Sequence, residues 1–593
     1  MSMLNIGTSA LLTTQGALST TSHNISNVNT DGYNRQRVEQ GTRIPDFEGG
    51  HYIGSGVSIT SIERMFDNFL SEQVRTFTSQ EQQLDTFSTF ARQVDDLLGS
   101  PELSLSSGLQ GFFDAVQDVA DDPTSIPARQ VMLTEADTLA QRFNTLDTQL
   151  DSYNQQVNLN LDTAVKEVNL LSKGIAELNQ VIVEASAGSN GTPNDLLDQR
   201  DQLINELSAY VSVSVIQQDN GAQNVFIGNG QALVVGQSTV SLSIVPNATD
   251  TSRSEIGYGP GGINISAQLT GGSIGGLLTV RQEVIDPARA EIDALAAGMV
   301  STINAQHAVG LTLSGNAGGN FFEPQVPVPP ATAPVPDAGN IRLALTDPRD
   351  IAVAFPISTT TGATNTGTAL LEVNAVDGSD PSFNATSALV STLTFTYDSA
   401  NKEYIVGYDG DTTTTRIKYD PATDSGKVFD LSALSVPPHT DFPGANTPPL
   451  TITLNGVPAD TDDFSLTNSA TGGFAAVGDN RNALALAELQ VTKTLTALDP
   501  VTGLPVGGPP TQSFGDSYGI LVANVATRTH QADVGQRTQQ GLLDQTNLRY
   551  ESVSGVNLDE EAANLIKFQQ AYQAASQIIT VSNTVFNSLI NAM

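Results

Sequence analysis

Five histidines, His23, His51, His307, His439 and His530, are the side chains of this 593-residue chain best suited to moving protons or binding a transition metal. They are scattered, and none falls into an H-E-x-x-H or comparable ligand spacing, so each reads as a polar surface or turn residue. There is no cysteine, which removes thiolate ligands, thiol nucleophiles and disulfides together. Gly271-Gly272-Ser273-Ile274-Gly275-Gly276 lacks both the G-x-G-x-x-G order and a following lysine, and reads as a turn before a helix. Carboxylates recur at short spacing in Asp409-Gly410-Asp411 and Asp460-Thr461-Asp462-Asp463, but without the closing Glu of a calcium loop. They read as a hairpin turn and a solvated acidic loop. The serines include no G-x-S-x-G elbow. The residues assign no catalytic, cofactor-binding or metal-binding role and no cofactor, which points away from an enzyme.

Composition narrows the alternatives further. Acidic residues number 63 against 26 basic, for a formal net charge of -37. That balance argues against nucleic acid and against anionic membrane surfaces. No stretch has the length and apolarity of a membrane span, and the N-terminus lacks the basic region, apolar core and cleavage site of a conventional secretion signal. The length implies several domains, each held by packing alone.

What stands out lies at the two ends. Leu4, Leu11, Leu18 and Ile25 fall seven apart, with Gly7, Thr14, Thr21 and Val28 between them, which is a heptad seam. Leu565, Phe568, Tyr572, Ala575, Ile579, Ser582, Phe586 and Leu589 make a second seam by steps of three and four. Residues 1–30 and 568–593 contain no Asp, Glu, Lys or Arg. Two helices uncharged on every face suit a packed environment in which hydrogen-bonding groups can be satisfied but isolated charges are costly. The candidate assembly interface is therefore Leu4, Leu11, Leu18, Ile25, Val28, Leu565, Phe568, Tyr572, Ala575, Ile579, Phe586 and Leu589.

Between the ends, helical periodicity is expected from Ile62 to Leu98, Gly108 to Ala120, past Pro127 through Ala185 with a stutter at 153, 157 and 161, and from Asn194 to Tyr210. Val211, Val213 and Val215 then alternate with serine and open a small β insertion. Helix returns from Ile274 to Gln306. A proline-rich linker begins at Pro324, and alternation at Leu393–Tyr397, Tyr404–Tyr408 and Leu450–Leu454 marks an all-β domain, barrel or sandwich. Helices resume at Asn480–Leu495 and about Ser517–Tyr550.

The stretch His23-Asn24-Ile25-Ser26-Asn27-Val28-Asn29-Thr30-Asp31-Gly32-Tyr33-Asn34-Arg35-Gln36 resembles the N-terminal signature of bacterial flagellar rod, hook and hook-associated proteins, with Asp31 where that family usually has proline. Ser554-Gly555-Val556-Asn557-Leu558-Asp559-Glu560-Glu561 and Asn564 through Ala574 resemble the matching C-terminal signature. Internally, Asn194 through Leu203, Gly111 through Gln130, and Gly478 through Leu486 are similar to the hook-associated protein 1 family, whose members join hook to filament. The similarity leaves out residues 326–475.

The expected fold class is α+β multidomain, with terminal helices forming a coiled coil, a discontinuous long-helix bundle and inserted all-β domains. The expected divisions are 1–60 and 551–593 for the inner coiled coil, 61–210, 274–325 and 477–550 for the bundle, 211–273 for a small β insertion and 326–476 for an outer all-β domain. The resemblance implies a structural axial protein of the flagellum, extracellular, secreted by type III export, at the hook–filament junction and needed for filament assembly and swimming. It implies self-association into a ring, contact with hook protein and hook-associated protein 3, and an export chaperone at the C-terminal region. A hook or distal-rod protein shares the end signatures but would lack the long helices at 129–210, and a secreted enzyme would need a pocket of convergent polar groups.

Overall fold

The computed structural model describes residues 2–48, 51–188, 191–324, 337–374, 392–408, 414–431, 450–468, 477–498 and 507–592. Its helices in chain order are α1 (Ser2–Ser26), α2 (Asn68–Gly99), α3 (Leu105–Asp121), α4 (Ile126–Gly188), α5 (Asn194–Tyr210), α6 (Gly272–Val280), α7 (Asp286–Val309), α8 (Arg481–Glu488), α9 (Phe514–Ser554) and α10 (Leu558–Ala592), with a π turn at Arg281–Ile285 between α6 and α7. The expected α+β class is the one found.

Three helical expectations are corrected. Residues 57–64 are strand, because the alternating Val57-Ser58-Ile59-Thr60-Ser61-Ile62 run pairs with residues 36–42, and α2 starts only after Asp67 accepts from the Phe69 and Leu70 amides at 2.9 and 3.2 Å. The helix expected over 480–495 stops at Glu488, since Leu495 instead bridges to Gln512. In α4 the buried stripe runs Leu146, Leu150, Asn154, Val157, Leu161, so the two successive steps of four fall at 146–150–154 and bury an asparagine in place of Tyr153.

The chain forms two compact units. The first comprises Met1–Arg92, Tyr153–Gln282 and Arg528–Met593. In it, β1 (Gln36–Thr42) pairs antiparallel with β4 (Val57–Arg64), and between them β2 (Asp46–Glu48) pairs with β3 (His51–Ile53). This ribbon lies along α1, where Val57 N–H donates to Ser9 Oγ at 3.3 Å and Asn24 Nδ2 to Gln36 O at 2.9 Å. Further on, β5 (Val213–Gln217), β6 (Gln223–Ile227), β7 (Gln231–Val235) and β8 (Ser238–Thr239) form one antiparallel sheet. A second sheet contains β9 (Leu242–Pro246), β10 (Ser254–Tyr258) and β11 (Ile263–Asn264). The Gly271–Gly276 run is the turn and first helical turn expected: Gly271 and Gly272 have φ of 72° and 60°, and a Cβ on Gly272 would strike the Tyr210–Val211 backbone.

The second unit comprises Gln93–Ser152 and Glu283–Thr527. Its helical core joins Phe112, Phe113, Phe321, Phe322 and Phe514, whose rings lie 5.0–6.4 Å apart in successive pairs. Its strands are β12 (Ile357–Thr361), β13 (Leu370–Val373), β14 (Leu393–Asp398), β15 (Glu403–Tyr408), β16 (Thr414–Lys418), β17 (Lys427–Asp430), β18 (Thr451–Asn455) and β19 (Asp463–Asn468). They make two open antiparallel sheets, ordered β12-β19-β14-β15-β16 and β13-β18-β17, that share one core. The alternating residues read from sequence are the ones that face it, among them Phe395, Tyr404, Val406, Ile417, Ile452 and Leu454.

Candidate assembly interface

In the first unit α1 packs along α10, and α1 places a glycine where it meets two isoleucines of α10. A Cβ on Gly7 would sit 2.9 Å from Ile579 Cγ1 and 3.2 Å from Ile578 Cγ2. At the opposite end of the pair Arg35, just past α1, meets Glu560 and Glu561 at the start of α10, so the helices run antiparallel. The buried face of α1 is Gly7, Ser9, Thr13, Ala17, Thr20, Thr21 and Asn24, not its leucines. Thr14 and Thr20 hydroxyls return hydrogen bonds to carbonyls four residues back, and Ser9 to one three back, which is how a polar helix is buried without charges.

Among the expected interface residues, Leu11, Leu18, Ile25, Val28, Leu565, Phe568 and Ile579 are half-buried and Ala575 is buried. Leu4, Tyr572 and Phe586 are exposed, and the side chain of Leu589 lies outside the described residues. The terminal pair therefore covers part of its own seam and leaves part bare.

Three sequence motifs far apart in the chain converge beside this pair. Arg35 Nε and Nη2 both reach Glu561 Oε1 at 2.7 Å, and Nη1 reaches Glu560 Oε2 at 2.7 Å. Arg35 N–H donates to Ser554 O at 2.8 Å, and Tyr550 O–H to Asn34 Oδ1 at 2.7 Å. Asp198 on α5 accepts from Asn34 N at 3.0 Å, Asn34 Nδ2 at 2.6 Å and Arg64 Nη1 at 2.9 Å, and Arg64 also pairs with Asp201 at 2.7 Å. Burial pushes the Asp198 carboxyl up, and the Asn34 and Arg64 donors pull it part of the way back. Arg64 is held above its ordinary value because Asp201 and Asp198 outweigh its burial, and its guanidinium lies 4.1 Å from the Phe66 ring centroid. Buried Arg200, pushed down to about 10 by desolvation, donates to Asn179 Oδ1 and Gly221 O. Gly32, at φ 76°, turns the chain into this knot where a Cβ would meet Gln202 Oε1 at 2.7 Å. Asp31, which replaces the usual proline, is exposed at this turn.

The histidine reading needs one correction. His307 is completely buried: Nδ1 lies 2.7 Å from Gly319 O and Nε2 accepts from Ala352 N at 2.8 Å, so it pins two loops of the second unit to α7. The Ile303–Ala305–Gln306 helical surroundings carried a weak sign of this in the apolar step from Met299 and Ile303. His23 donates toward Asp195 at 3.3 Å and His530 is exposed, whereas His439 and the side chain of His51 lie outside the described residues. So does Asp409-Gly410-Asp411. Asp462 is buried, and it accepts from the Thr366, Gly367 and Ala459 amides at 2.9, 3.0 and 2.7 Å as a loop cap.

Sequence reasoning also missed Asp147, Asp293 and Asp337, whose carboxylates lie within 4.8 Å of one another in the second unit. Arg289 approaches Asp147 at 3.2 Å and Asp151 at 3.7 Å, and Asp293 accepts from Ala338 N at 2.8 Å. No local spacing announces a cluster drawn from three separate segments.

A helix pair uncharged over residues 1–30 and 568–593, clasped at its base by Arg35 with Glu560 and Glu561 and accompanied by long helices and inserted sheets, fits the class of flagellar axial structural proteins that the end signatures resemble. The sequence models agree: "Flagella basal body rod protein" matches residues 4–34, "Flagellar basal body rod FlgEFG protein C-terminal" residues 549–592, and "Flagellar hook-associated protein FlgK helical domain" residues 91–322. Flagellar hook-associated protein 1 of Salmonella typhimurium is 32% identical over 100% of this chain and 99% of its own, and that of Escherichia coli K12 is 30% identical over the same shares. A solved structure, the flagellar hook junction protein FlgK from Burkholderia pseudomallei, superposes with TM-score 0.68 at 26% identity, covering 82% of this chain and all of its own. The chain belongs to the flagellar hook-associated protein 1 family. Among the described residues no helix is long and apolar enough to cross a membrane.

Proposed function

We propose that this chain is the structural joint between hook and filament, working outside the cell by assembly and not by catalysis. The observation that carries the reading is the α1–α10 pair, free of charged residues over 1–30 and 568–593 yet anchored at one end by the Arg35–Glu561 clasp. Bare apolar side chains on an uncharged helix pair are costly in water and useful in a packed tube.

In this reading copies of the chain form a ring through Leu4, Leu11, Leu18, Ile25, Val28 and the α10 seam, with hook protein on one side and hook-associated protein 3 on the other. Residues 1–60 and 551–593 make the inner layer, the bundle segments the next, and residues 326–476 the outer domain. An export chaperone takes the C-terminal region before assembly.

Immunolabelled electron microscopy of purified flagella tests the assignment. Label confined to a band at the end of the hook, together with hooks that carry no filament and shed filament protein in a deletion strain, is the expected result. Label along the whole hook would assign the chain to the hook instead.

A further inference from the structure

The turn that carries Asp31 borders a cleft of about 430 Å3 in the first unit, within the roughly 300–1,000 Å3 of small-ligand sites. Leu178 of α4 and Leu203 of α5 supply apolar lining, and the His23 and Tyr33 rings, edge to face at 5.5 Å, supply aromatic lining. Asp31, Asp195 and Asp198 all border the cleft, and no lysine or arginine does.

The hydrogen-bonding groups of this lining are unequally used. Its donors are spent within the fold: His23 Nε2 faces Asp195 Oδ1 at 3.3 Å, Asn27 Nδ2 donates to His23 O at 3.0 Å, Thr30 O–H to Asn27 Oδ1 at 3.2 Å and Tyr33 O–H to Asn24 Oδ1 at 2.7 Å. Gln202 Nε2 is spent on Glu206. Acceptors are left over. Asp198 is answered by Asn34 and Arg64, but Asp195 receives Gln36 and His23 on Oδ1 alone. Among the described residues nothing donates to Asp195 Oδ2, to Gln202 Oε1 or to the exposed Asp31 carboxylate. Only the Gln199 amide keeps both kinds of group. Burial, with Asp195, Asp198 and Glu561 close by, also pushes the Tyr33 hydroxyl up, as a negative surrounding requires.

We propose that this cleft binds a guanidinium group, whose planar fork of donors meets the Asp31 and Asp195 carboxylates and Gln202 Oε1. A lining with acceptors to spare and almost no donors calls for a ligand that is cationic, donates repeatedly and accepts nothing, and guanidinium has five N–H groups and no acceptor. Leucine and aromatic side chains suit the methylene stem and flat head of an arginine better than a compact ammonium. A bare divalent ion has a poorer fit: among the described residues, the three carboxylates that converge within 4.8 Å are Asp147, Asp293 and Asp337, outside this cleft. Asp31 stands where the family usually has proline, so one of the acceptors is a feature of this chain and not of the shared signature. The inference stands apart from the junction assignment.

The full-length chain with ring-labelled histidine is titrated with Nα-acetyl-arginine methylamide and, in parallel, with its neutral isostere Nα-acetyl-citrulline methylamide. The NMR signal of His23, assigned by its loss in His23→Gln, is followed. A saturable shift with the arginine compound, none with the citrulline compound and an unmoved His530 signal are expected. Asp31→Pro and Asp195→Asn should each weaken binding by about tenfold. Asp31 holds no described partner, so its variant should keep the native thermal midpoint, which separates loss of the ligand from loss of the fold. Absence of a saturable shift, an equal shift with citrulline, or native affinity in both variants would overturn the proposal and leave the junction assignment untouched. Swimming of a strain that exports Asp31→Pro distinguishes the source: reduced swimming would place the guanidinium on a neighbouring chain of the flagellum, and native swimming would make it a free guanidino solute.

Discussion

Arg35 and Glu561 are 526 residues apart in the chain, and two guanidinium nitrogens of the first meet one carboxylate oxygen of the second at 2.7 Å. Only 2% of the Glu561 side chain is exposed, so this carboxylate has little water to fall back on. The pair closes the chain end on end and sets where α10 begins against α1.

Arg35→Ala should therefore loosen both terminal helices. Leaving a buried carboxylate without its partner costs on the order of 3 kcal/mol. Amide exchange should rise sharply across residues 2–26 and 558–592 while α3 stays protected. Equal protection in the variant would show that the clasp is incidental to the pairing.

Packing of the terminal pair should depend on size at one point. Gly7→Val puts methyl groups where Ile579 Cγ1 already stands and should cost about 1–3 kcal/mol, with recovery when Ile579→Ala is added. Ile579→Asp should fold, be exported and fail to build the junction, because no Lys or Arg occurs in residues 1–30 or 568–593 to pair with it. Swimming assays of strains whose culture medium contains the variant check this; normal motility would mean that the seam is not packed in the assembly.

His307 should make the second unit acid-sensitive. Burial pushes its imidazole down to about 4 from an ordinary 6.5, so between those pH values the unfolded chain binds the extra proton and the folded one does not. Stability is full above pH 6.5 and falls as pH drops toward 4, by about 3 kcal/mol from this group alone. Urea unfolding at a series of pH values should show that slope in the native chain and a shallower one in His307→Gln. Parallel slopes would rule His307 out as the source.

Asp293 acts in the opposite direction. Burial, with Asp147 and Asp337 close by, pushes its carboxyl up to about 7 against the pull of Ala338 N–H and Arg289. The folded state thus holds a proton that the unfolded state releases near pH 4, and stability from this group declines as pH rises from about 4 to 7. Asp293→Asn keeps the oxygen that accepts from Ala338 and cannot ionise, so it should raise the thermal midpoint at pH 8 and leave it nearly unchanged at pH 4. A lower midpoint at pH 8 would show that the ionised carboxylate stabilises the cluster.

Much of this protein was determined by sequence alone, and for a local reason. Helix periodicity in α3, α4, α5 and α10 and the alternation that buries Phe395 and Val406 depend on residues a few positions apart. The missing charges at both ends were legible in the same way. Tertiary structure decided what depends on distant segments. It turned α1 so that Gly7, Thr13 and Ala17 face inward in place of its leucines, because the ribbon β1–β4 and α10 approach too closely for larger side chains, as Gly7 against Ile579 shows. It buried His307 between loops that no spacing connects, and it gathered Asn34, Arg64, Asp198 and Glu561 into one clasp. Spacing encodes which face a residue takes on its own element; what waits on the other side of that face is set only when the chain closes on itself.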